Sequence, residues 1–271
     1  MNSELLDRAT ADVARQLSGV QRLGVAFSGG VDSSVLLALA ARSLGVERVL
    51  ALLGVSPSLA ADERAGAHEV ARHVGVRVAE VETHEGERAE YRANGPDRCF
   101  HCKDELFTRI EATSYGLDAV AYGENADDVR RTDRPGSRAA AAHRVLTPLA
   151  TAGLTKADVR SIARSLGLPS ADKPAAPCLA SRIPHFTPVD AVKLGQVERA
   201  EAALRRLGFQ DFRVRHHGDI ARLELPVGDL ARAAGEQREA LHEAVIGAGF
   251  RYVALDLAGI QSGAFTRAAT R

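Results

Sequence analysis

The stretch at residues 27–34, FSGGVDSS, constrains the fold more than any other part of the chain. An apolar run at residues 23–27 predicts a buried strand before it, and residues 35–41 predict a helix after it. A glycine-rich turn between strand and helix brings backbone N–H groups close to a ligand, and the positive helix end favours phosphate. Asp32 would repel phosphate by itself, so its presence favours a bridging Mg²⁺ ion.

The same stretch lacks the G-x-x-x-x-G-K-[ST] pattern of a Walker loop. It resembles the PP-loop, S-G-G-x-D-S-[ST], of ATP pyrophosphatases, which implies cleavage of ATP between the α and β phosphates and adenylation of a substrate. A polar turn capped by serine is the plainer alternative. The resemblance implies these ATP-binding residues, of which Asp32 is also a catalytic candidate: Ser28, Gly29, Gly30, Asp32, Ser33 and Ser34.

Predicted strands and helices alternate along the first half of the chain. The strands are predicted at residues 23–27, 48–55, 76–81 and 117–122, and the helices at 1–20, 35–41, 58–74, 97–115 and 154–167. Alternation of this kind predicts an α/β fold with a doubly wound parallel sheet, whose ligands lie beyond the carboxyl ends of the strands. Thr155 and Asp158 match a capping box in which Asp replaces Glu.

Composition limits the classes of function. The chain has 271 residues, 45% of them apolar, with 35 basic and 35 acidic side chains. A net charge near zero offers no electrostatic footprint for nucleic acid, so no nucleic-acid partner is expected. No apolar run is long enough to span a bilayer, and residues 1–20 lack the apolar core of a signal peptide. We therefore expect a soluble cytoplasmic protein with no membrane partner.

A second polar stretch, GENADD at residues 123–128, follows a predicted strand. Gly123, Asn125 and Asp128 are candidates for holding ribose or Mg²⁺ near the nucleotide. An ordinary polar turn, with Asp127 capping a short helix, is the alternative. Arg134, in the segment that follows, is either a phosphate contact or a solvated loop residue.

The three cysteines form a third group. Cys99 and Cys102 make a C-x-x-C at the start of a predicted helix, and Cys178 lies in the proline-rich segment 168–184, for which no regular structure is predicted. Inside a cell this spacing favours redox or metal chemistry, and a helix N-terminus favours thiolates. Three cysteines suit an iron–sulfur cluster with one open iron. Zinc with a fourth ligand such as His101, or small buried thiols, remain alternatives.

Four motifs taken together make a specific resemblance. They are the PP-loop at residues 28–34, RCFHCK at 98–103, GENADD at 123–128 and DKPAAPCLASR at 172–182. This combination resembles the LarE family over about residues 5–263. The resemblance implies ATP-dependent sulfur transfer to a carboxylate of pyridinium-3,5-biscarboxylic acid mononucleotide, through an acyl adenylate, in biosynthesis of the nickel-pincer nucleotide cofactor. Two alternatives lie outside the family: a PP-loop tRNA thiolase, and a non-enzymatic iron–sulfur or zinc sensor that binds ATP without turnover.

The resemblance implies two possible sulfur sources. One branch of the family sacrifices the sulfur of a single cysteine at the position of Cys178. Another branch binds a [4Fe-4S] cluster through three cysteines, at the positions of Cys99, Cys102 and Cys178. Because all three are present, we predict the cluster branch, with Cys178 also catalytic, while the sacrificial route stays open. The family also implies a small-molecule nucleotide substrate and a homo-oligomer.

Other site residues are predicted around these motifs. Lys103 and Lys173 flank the cysteines and are catalytic candidates, or else surface lysines. The resemblance implies a substrate or cofactor role for Ser181, Arg182, Arg213 and Arg215, with a solvated hairpin face as the alternative for the last two. Residues 183–186, IPHF, depart from the P-Y-G common in the family, as does Ala171 before the D-K-P, where a larger residue is common.

The last third predicts a separate small α+β domain. Helices are predicted at residues 188–208 and 227–249, and strands at 212–216, 220–225 and 252–257. The turn at residues 217–219 is a hairpin signal between two of these strands. We therefore predict a PP-loop ATP pyrophosphatase domain over residues 1–184, and a smaller domain for substrate binding or oligomerisation over residues 185–271.

Overall fold

The structure is a computed structural model that describes residues 2–130, 135–174 and 177–260. The chain forms two compact units. The first comprises Met1–Glu85 and Cys99–Ala176, and the second comprises Gly86–Arg98 and Pro177–Arg271. A short segment from the first half of the chain therefore groups with the second unit.

The first unit contains a four-stranded sheet. Its strands are β1 (Leu23–Ala26), β2 (Val49–Val55), β3 (Arg77–Glu82) and β4 (Ala119–Tyr122). They lie in the order β3-β2-β1-β4, and every neighbouring pair is parallel. The predicted α/β fold with a parallel sheet is confirmed.

Twelve α-helices lie in the described part of the chain. They are α1 (Asn2–Gln16), α2 (Val31–Leu44), α3 (Ala61–Val74), α4 (Ala89–Arg92), α5 (Arg98–Ala112), α6 (Ala126–Val129), α7 (Pro135–Ala142), α8 (Pro148–Thr151), α9 (Lys156–Ser165), α10 (Ala191–Arg206), α11 (Val227–Ala234) and α12 (Arg238–Gly247). Helix α2 packs against β1, α1 and α9, and most of its residues are buried because its apolar side chains lie on nearly all sides of the helix. Its position fixes the loop that precedes it. No helix among the described residues is long and apolar enough to cross a bilayer.

The second unit contains a three-stranded sheet in the order β5-β6-β7. Strands β5 (Arg213–His217) and β6 (Ile220–Glu224) form the predicted antiparallel hairpin, and β7 (Tyr252–Leu255) pairs with β6 in parallel. Gly218 has φ +63° in the two-residue turn, a conformation that glycine adopts without strain. Helix α10 packs against α12 and β5.

The prediction of one helix over residues 227–249 is wrong. The structure has two helices there, because Gly235 takes φ −110° and ψ −98°, outside the helical region. The Gly235 N–H still bonds to Ala231 O at 3.0 Å, which closes the last turn of α11. Glycine loses more conformational entropy on entering a helix than any other residue, so ending a helix at this position costs little free energy.

Candidate functional site

The candidate nucleotide site lies where the strand order reverses. From β1 the chain passes outward to β2 and β3, and it returns to place β4 on the other side of β1. Ala26, the last residue of β1, pairs in register with Tyr122, the last residue of β4. The loops that follow these two strands therefore leave the sheet side by side. This is the topological switch point at which open α/β sheets bind ligands.

The PP-loop is held by its own serines. The Ser28 N–H donates to Ser33 Oγ at 3.3 Å, while the Ser33 and Ser34 hydroxyls donate to Gly30 O at 3.0 and 2.8 Å. Ser33 is 7% exposed and Ser34 is fully buried. These hydroxyls thus shape the loop around the first turn of α2, where Gly30 is the N-cap residue.

Gly123 allows the two loops to approach each other. A Cβ atom at Gly123 would lie 2.8 Å from Ser33 N and 2.9 Å from Ser33 Cα. Both are backbone atoms of α2 that cannot rotate away. The backbone after β4 therefore contacts the first turn of α2 directly, which brings the PP-loop and residues 123–128 to one place, as predicted.

Asp32 joins three segments of the first unit. Its Oδ1 accepts from Asn125 Nδ2 at 3.1 Å, and its Oδ2 is ion-paired with Lys156 Nζ. The same Asn125 amide donates to Asp128 Oδ2 at 2.9 Å. Carboxylate oxygens of Asp32 and Asp128 thus both accept from one amide nitrogen. Mg²⁺ is usually held by one or two carboxylates together with substrate phosphates, so this donor set fits the predicted ion.

The polar turn after β4 is capped differently from the predicted alternative. Asn125, not Asp127, caps α6, because its Oδ1 accepts from the N–H groups of Asp127 and Asp128 at 3.0 and 3.1 Å. Asp127 Oδ2 instead accepts from the backbone N–H of Lys156 at 2.8 Å. Residues 125–128 are therefore tied both to α2 and to the start of α9.

The predicted lysines are both engaged. Lys103 Nζ contacts the Tyr122 hydroxyl and lies 3.7 Å from the centre of that ring. Lys173 Nζ forms an ion pair with Glu63 Oε2 at 2.7 Å, and its side chain is 26% exposed. Neither is an ordinary surface lysine. Arg134 lies outside the described residues.

Lys156 was missed by the sequence-based prediction. It is one of four lysines in the chain, and it follows Thr155 in a capping box that the structure confirms. The capping box predicted where α9 begins, yet it gave no sign that the next residue reaches Asp32, which is 124 positions away in the chain. Only the packing of α9 on α2 brings them together.

Two of the cysteines lie in helix α5, and the third lies next to a short 3₁₀ turn. Cys99 and Cys102 are the second and fifth residues of α5; they are three residues apart, so they share one face of the helix. Cys178 is the N-cap residue of a short 3₁₀ turn at Leu179–Arg182. All three cysteines are described and none forms a disulfide; Cys99 and Cys178 are exposed. Within the described residues, no three His, Cys, Asp or Glu side chains group as a metal site.

A buried ion pair anchors the Cys178 segment in the second unit. Arg182 and Glu201 are 4% and 1% exposed, and they pair at 2.8 and 3.1 Å through two guanidinium nitrogens. The third nitrogen of Arg182 donates to Pro177 O at 2.6 Å and to Ser181 Oγ at 3.0 Å. Arg182 therefore closes the backbone around Cys178.

The hairpin arginines are not a solvated face. Arg215 is 7% exposed; it pairs with Glu224 Oε2 at 2.8 Å and donates to Ser181 O at 2.9 Å. Arg213 donates to Phe212 O at 2.6 Å, and burial, together with the charge of Arg182, lowers the pKa of its guanidinium. The solvated-face alternative is wrong for Arg215, whose charge is directed at Glu224 and the chain after Cys178.

Asn94 is hydrogen-bonded to Arg98, which precedes Cys99, and to the segment that follows Cys178. It is fully buried, and its Nδ2 donates to Pro184 O at 2.8 Å and to Thr187 O at 2.9 Å. Its Oδ1 accepts from Arg98, which also donates to Ala180 O at 2.9 Å. Within the second unit, the residue before Cys99 is thus hydrogen-bonded to the segment that follows Cys178.

His143 supplies a pH-dependent contact beside α5. Burial lowers its pKa, but hydrogen bonds to Asp104 and Glu111, each 2.9 Å long, outweigh burial and raise the pKa overall. A raised folded-state pKa contributes stability below the ordinary value and loses it as pH rises through the folded value. We expect His143→Gln to cost about 1 kcal/mol near pH 5.5 and much less near pH 8.5, measured by urea unfolding. A larger cost at the higher pH would contradict this assignment.

One family profile and several known proteins are similar to this chain in sequence. The asparagine synthase family profile matches residues 3–117, which include the PP-loop. An uncharacterised protein of Synechocystis sp. is 40% identical over 95% of this chain and 97% of its own length. An uncharacterised protein of Methanocaldococcus jannaschii is 26% identical over 81% of this chain and 83% of its own length.

A relative with an assigned activity decides the family. The pyridinium-3,5-bisthiocarboxylic acid mononucleotide synthase of Lactiplantibacillus plantarum is 34% identical over 258 residues, which cover 93% of this chain and 92% of that enzyme. Because the alignment covers nearly the whole chain, it extends through both units. This protein therefore belongs to the pyridinium-3,5-bisthiocarboxylic acid mononucleotide synthase family, the LarE family.

Proposed function

We propose that this protein uses ATP to transfer sulfur to a carboxylate of pyridinium-3,5-biscarboxylic acid mononucleotide. The 34% identity to the Lactiplantibacillus plantarum synthase over nearly the whole chain carries the proposal. The PP-loop beside residues 123–128, at the reversal point of the sheet, supports use of ATP. The product is the corresponding thiocarboxylate.

The first half-reaction activates the carboxylate, which is a poor electrophile. A substrate carboxylate oxygen attacks the α-phosphorus of ATP, and the bond from that phosphorus to the bridging oxygen of pyrophosphate breaks. The loop N–H groups at the start of α2 stabilise the negative charge that builds up on the departing pyrophosphate. Asp32 and Asp128 are the residues that would hold Mg²⁺, which supplies further charge stabilisation when bound.

The second half-reaction replaces oxygen with sulfur. A sulfur nucleophile attacks the acyl carbon, the bond from carbon to the AMP oxygen breaks, and AMP leaves. Cys99, Cys102 and Cys178 would hold a [4Fe-4S] cluster, which supplies the sulfide when bound. One observation supports part of this ligand set, since Cys99 and Cys102 share one helix face. In the alternative route, the Cys178 thiolate attacks the acyl carbon as AMP leaves. Loss of the Cα proton of Cys178 to solvent then breaks its Cβ–S bond, which releases the thiocarboxylate and leaves dehydroalanine.

The first measurement is the iron, sulfide and zinc content of anaerobically purified protein, with a visible spectrum. About four irons and at least four sulfides per chain are expected, and Cys99→Ala should abolish them. Zinc, or intact protein without metal, would remove the cluster route and leave the activity itself open to test.

The activity is tested separately with ATP and the biscarboxylic mononucleotide. Pyrophosphate and AMP should appear together with a product in which sulfur replaces oxygen, as read by mass spectrometry. The intact mass of the protein then identifies the sulfur source, because loss of the elements of hydrogen sulfide from Cys178 marks the sacrificial route. Thiolation of tRNA in place of the mononucleotide would contradict the proposed substrate.

A further inference from the structure

Phe186 has a backbone conformation that is unusual for a bulky residue. Its φ is +64°, in the left-handed region. Among the described residues other than glycine, only Asn94 and Arg144 also have a positive φ. Asparagine tolerates this region, but a phenylalanine there is an outlier. Backbone outliers of this kind cost free energy and cluster at ligand-binding sites.

The surrounding chain holds Phe186 in this conformation. Its N–H donates to Asn94 O at 3.1 Å, and the Asn94 side chain donates to the carbonyls on either side, Pro184 O at 2.8 Å and Thr187 O at 2.9 Å. The Thr187 N–H also closes a turn on Pro184 O at 3.1 Å. Because Asn94 is fully buried, water does not compete for its amide. The backbone at Phe186 is therefore fixed by the protein itself.

The Phe186 ring nevertheless lies in solvent. The residue is 69% exposed, whereas Phe209, Phe212 and Phe250 of the same unit are buried. The neighbouring His185 ring is tilted by 54° at a centre-to-centre distance of 6.3 Å, so it does not stack face to face on the phenyl ring. Burial of the ring thus does not compensate for the strained backbone, but contact with a ligand would.

The bonds that hold Phe186 also reach the segment of Cys178. Arg98 donates to Asn94 Oδ1 and to Ala180 O, in the 3₁₀ turn that begins directly after Cys178. All of these residues belong to the second unit. One buried amide, Asn94, therefore connects the backbone of the exposed ring to the turn beside the cysteine.

The proposed substrate carries a group that suits this ring. Sulfur transfer brings the reacting carboxyl carbon to a sulfur at Cys178, and that carbon is bonded directly to the pyridinium ring. A pyridinium ring is a flat aromatic cation, which the face of a phenyl ring attracts through stacking and through its quadrupole. We propose that Phe186 binds the pyridinium ring of the mononucleotide beside Cys178. This inference rests on the proposed substrate.

Fluorescence tests the contact directly, because the chain contains no tryptophan. Phe186→Trp introduces a single indole, and a pyridinium ring in contact with the excited indole accepts an electron and quenches its emission. We expect quenching by pyridinium-3,5-biscarboxylic acid mononucleotide that saturates with ligand concentration. Val192→Trp is the control, since Val192 is 70% exposed on α10 of the same unit. Its emission should fall only by collision, without saturation.

Calorimetry on the full chain separates ring contact from binding of the rest of the ligand. In Phe186→Leu, which keeps an apolar side chain but removes the aromatic face, affinity for the mononucleotide should fall about three- to tenfold. Ribose 5-phosphate lacks the ring, so its affinity should change less than about twofold. Phe186→Tyr should bind the mononucleotide as the parent protein does.

A glycine variant separates binding from stability. Phe186→Gly should weaken the mononucleotide at least as much as Phe186→Leu, yet unfold at a urea concentration no lower than that of the parent protein, because glycine relieves the strained φ. A residue that served only to hold the fold would lose stability in this variant. A clear loss of stability would therefore overturn the inference.

Other results also decide between the inference and the proposed function. Unchanged mononucleotide affinity in Phe186→Leu, or equal quenching in the two tryptophan variants, would overturn the inference while the proposed function stands. A changed sedimentation coefficient in Phe186→Leu would overturn it as well, since it would assign the ring to a contact between copies of the chain. Failure of the parent protein to bind the mononucleotide would instead overturn the proposed function, and this inference with it.

Discussion

Arg182→Met is expected to lower the free energy of unfolding by about 3–5 kcal/mol, because it leaves the Glu201 carboxylate buried without its bidentate partner. Arg182 and Glu201 are 4% and 1% exposed, and the two guanidinium–carboxylate contacts measure 2.8 and 3.1 Å. The variant also removes the donor to Pro177 O and Ser181 Oγ, which closes the backbone around Cys178. Urea unfolding of the full chain measures the loss.

Two further variants identify the cause of that loss. Arg205 contacts the same Glu201 carboxylate at 3.7 Å but is 35% exposed, so Arg205→Met should cost less than about 1 kcal/mol. Glu201→Gln in the Arg182→Met background removes the buried charge and keeps an acceptor for the Val214 N–H, which lies 3.1 Å from Oε1. This double variant should regain part of the stability. If it regains none, lost packing rather than unpaired charge causes the effect.

The Arg182–Glu201 ion pair shows which contacts local sequence patterns can predict and which they cannot. The D-K-P-A-x-x-C-L-x-S-R motif singled out Arg182 and Ser181 as substrate or cofactor residues, and local spacing correctly predicted the hairpin beside them. No local signal paired Arg182 with Glu201, because the pairing depends on how α10 packs against the 3₁₀ turn. Burial of Arg215 against Glu224 was missed for a similar reason. Arg215 lies opposite Arg222 in the register, so its pair with Glu224 is a diagonal contact that the sequence pattern did not specify.

The residues of the candidate nucleotide site were easier to predict than the contacts in the second unit. Phosphate loops are contiguous in sequence, and the strand before α2 and the glycines of the loop are local signals. The meeting of Gly123 with Ser33 followed from the general rule that parallel strands end at one edge of the sheet. No comparable rule predicted that Lys156 would contact Asp32. The break at Gly235 was also missed, since a single glycine within a helical pattern is often tolerated.

Gly29→Ala is expected to distort the PP-loop and to weaken ATP binding by tenfold or more, with a loss of about 2–4 kcal/mol in stability. Gly29 has φ +70°, where a residue with a Cβ atom is strained. That Cβ would also lie 2.8 Å from Ala67 Cα and 2.9 Å from Ala67 Cβ, on helix α3. Neither atom can rotate away, so the loop or α3 must move. Calorimetric ATP titration and thermal unfolding measure the two effects.

The adjacent residue provides a matched control for loop composition. Gly30 has φ −75°, and among the described residues a Cβ there would meet Ser28 Oγ at 3.4 Å and no other heavy atom within 4 Å. Gly30→Ala should therefore fold with a stability within about 0.5 kcal/mol of the parent protein. Any loss of ATP affinity in Gly30→Ala then reports crowding of the ligand itself, because the protein backbone accommodates the methyl group. Equal destabilisation by both substitutions would contradict the left-handed geometry at Gly29, since only that position combines positive φ with a backbone clash.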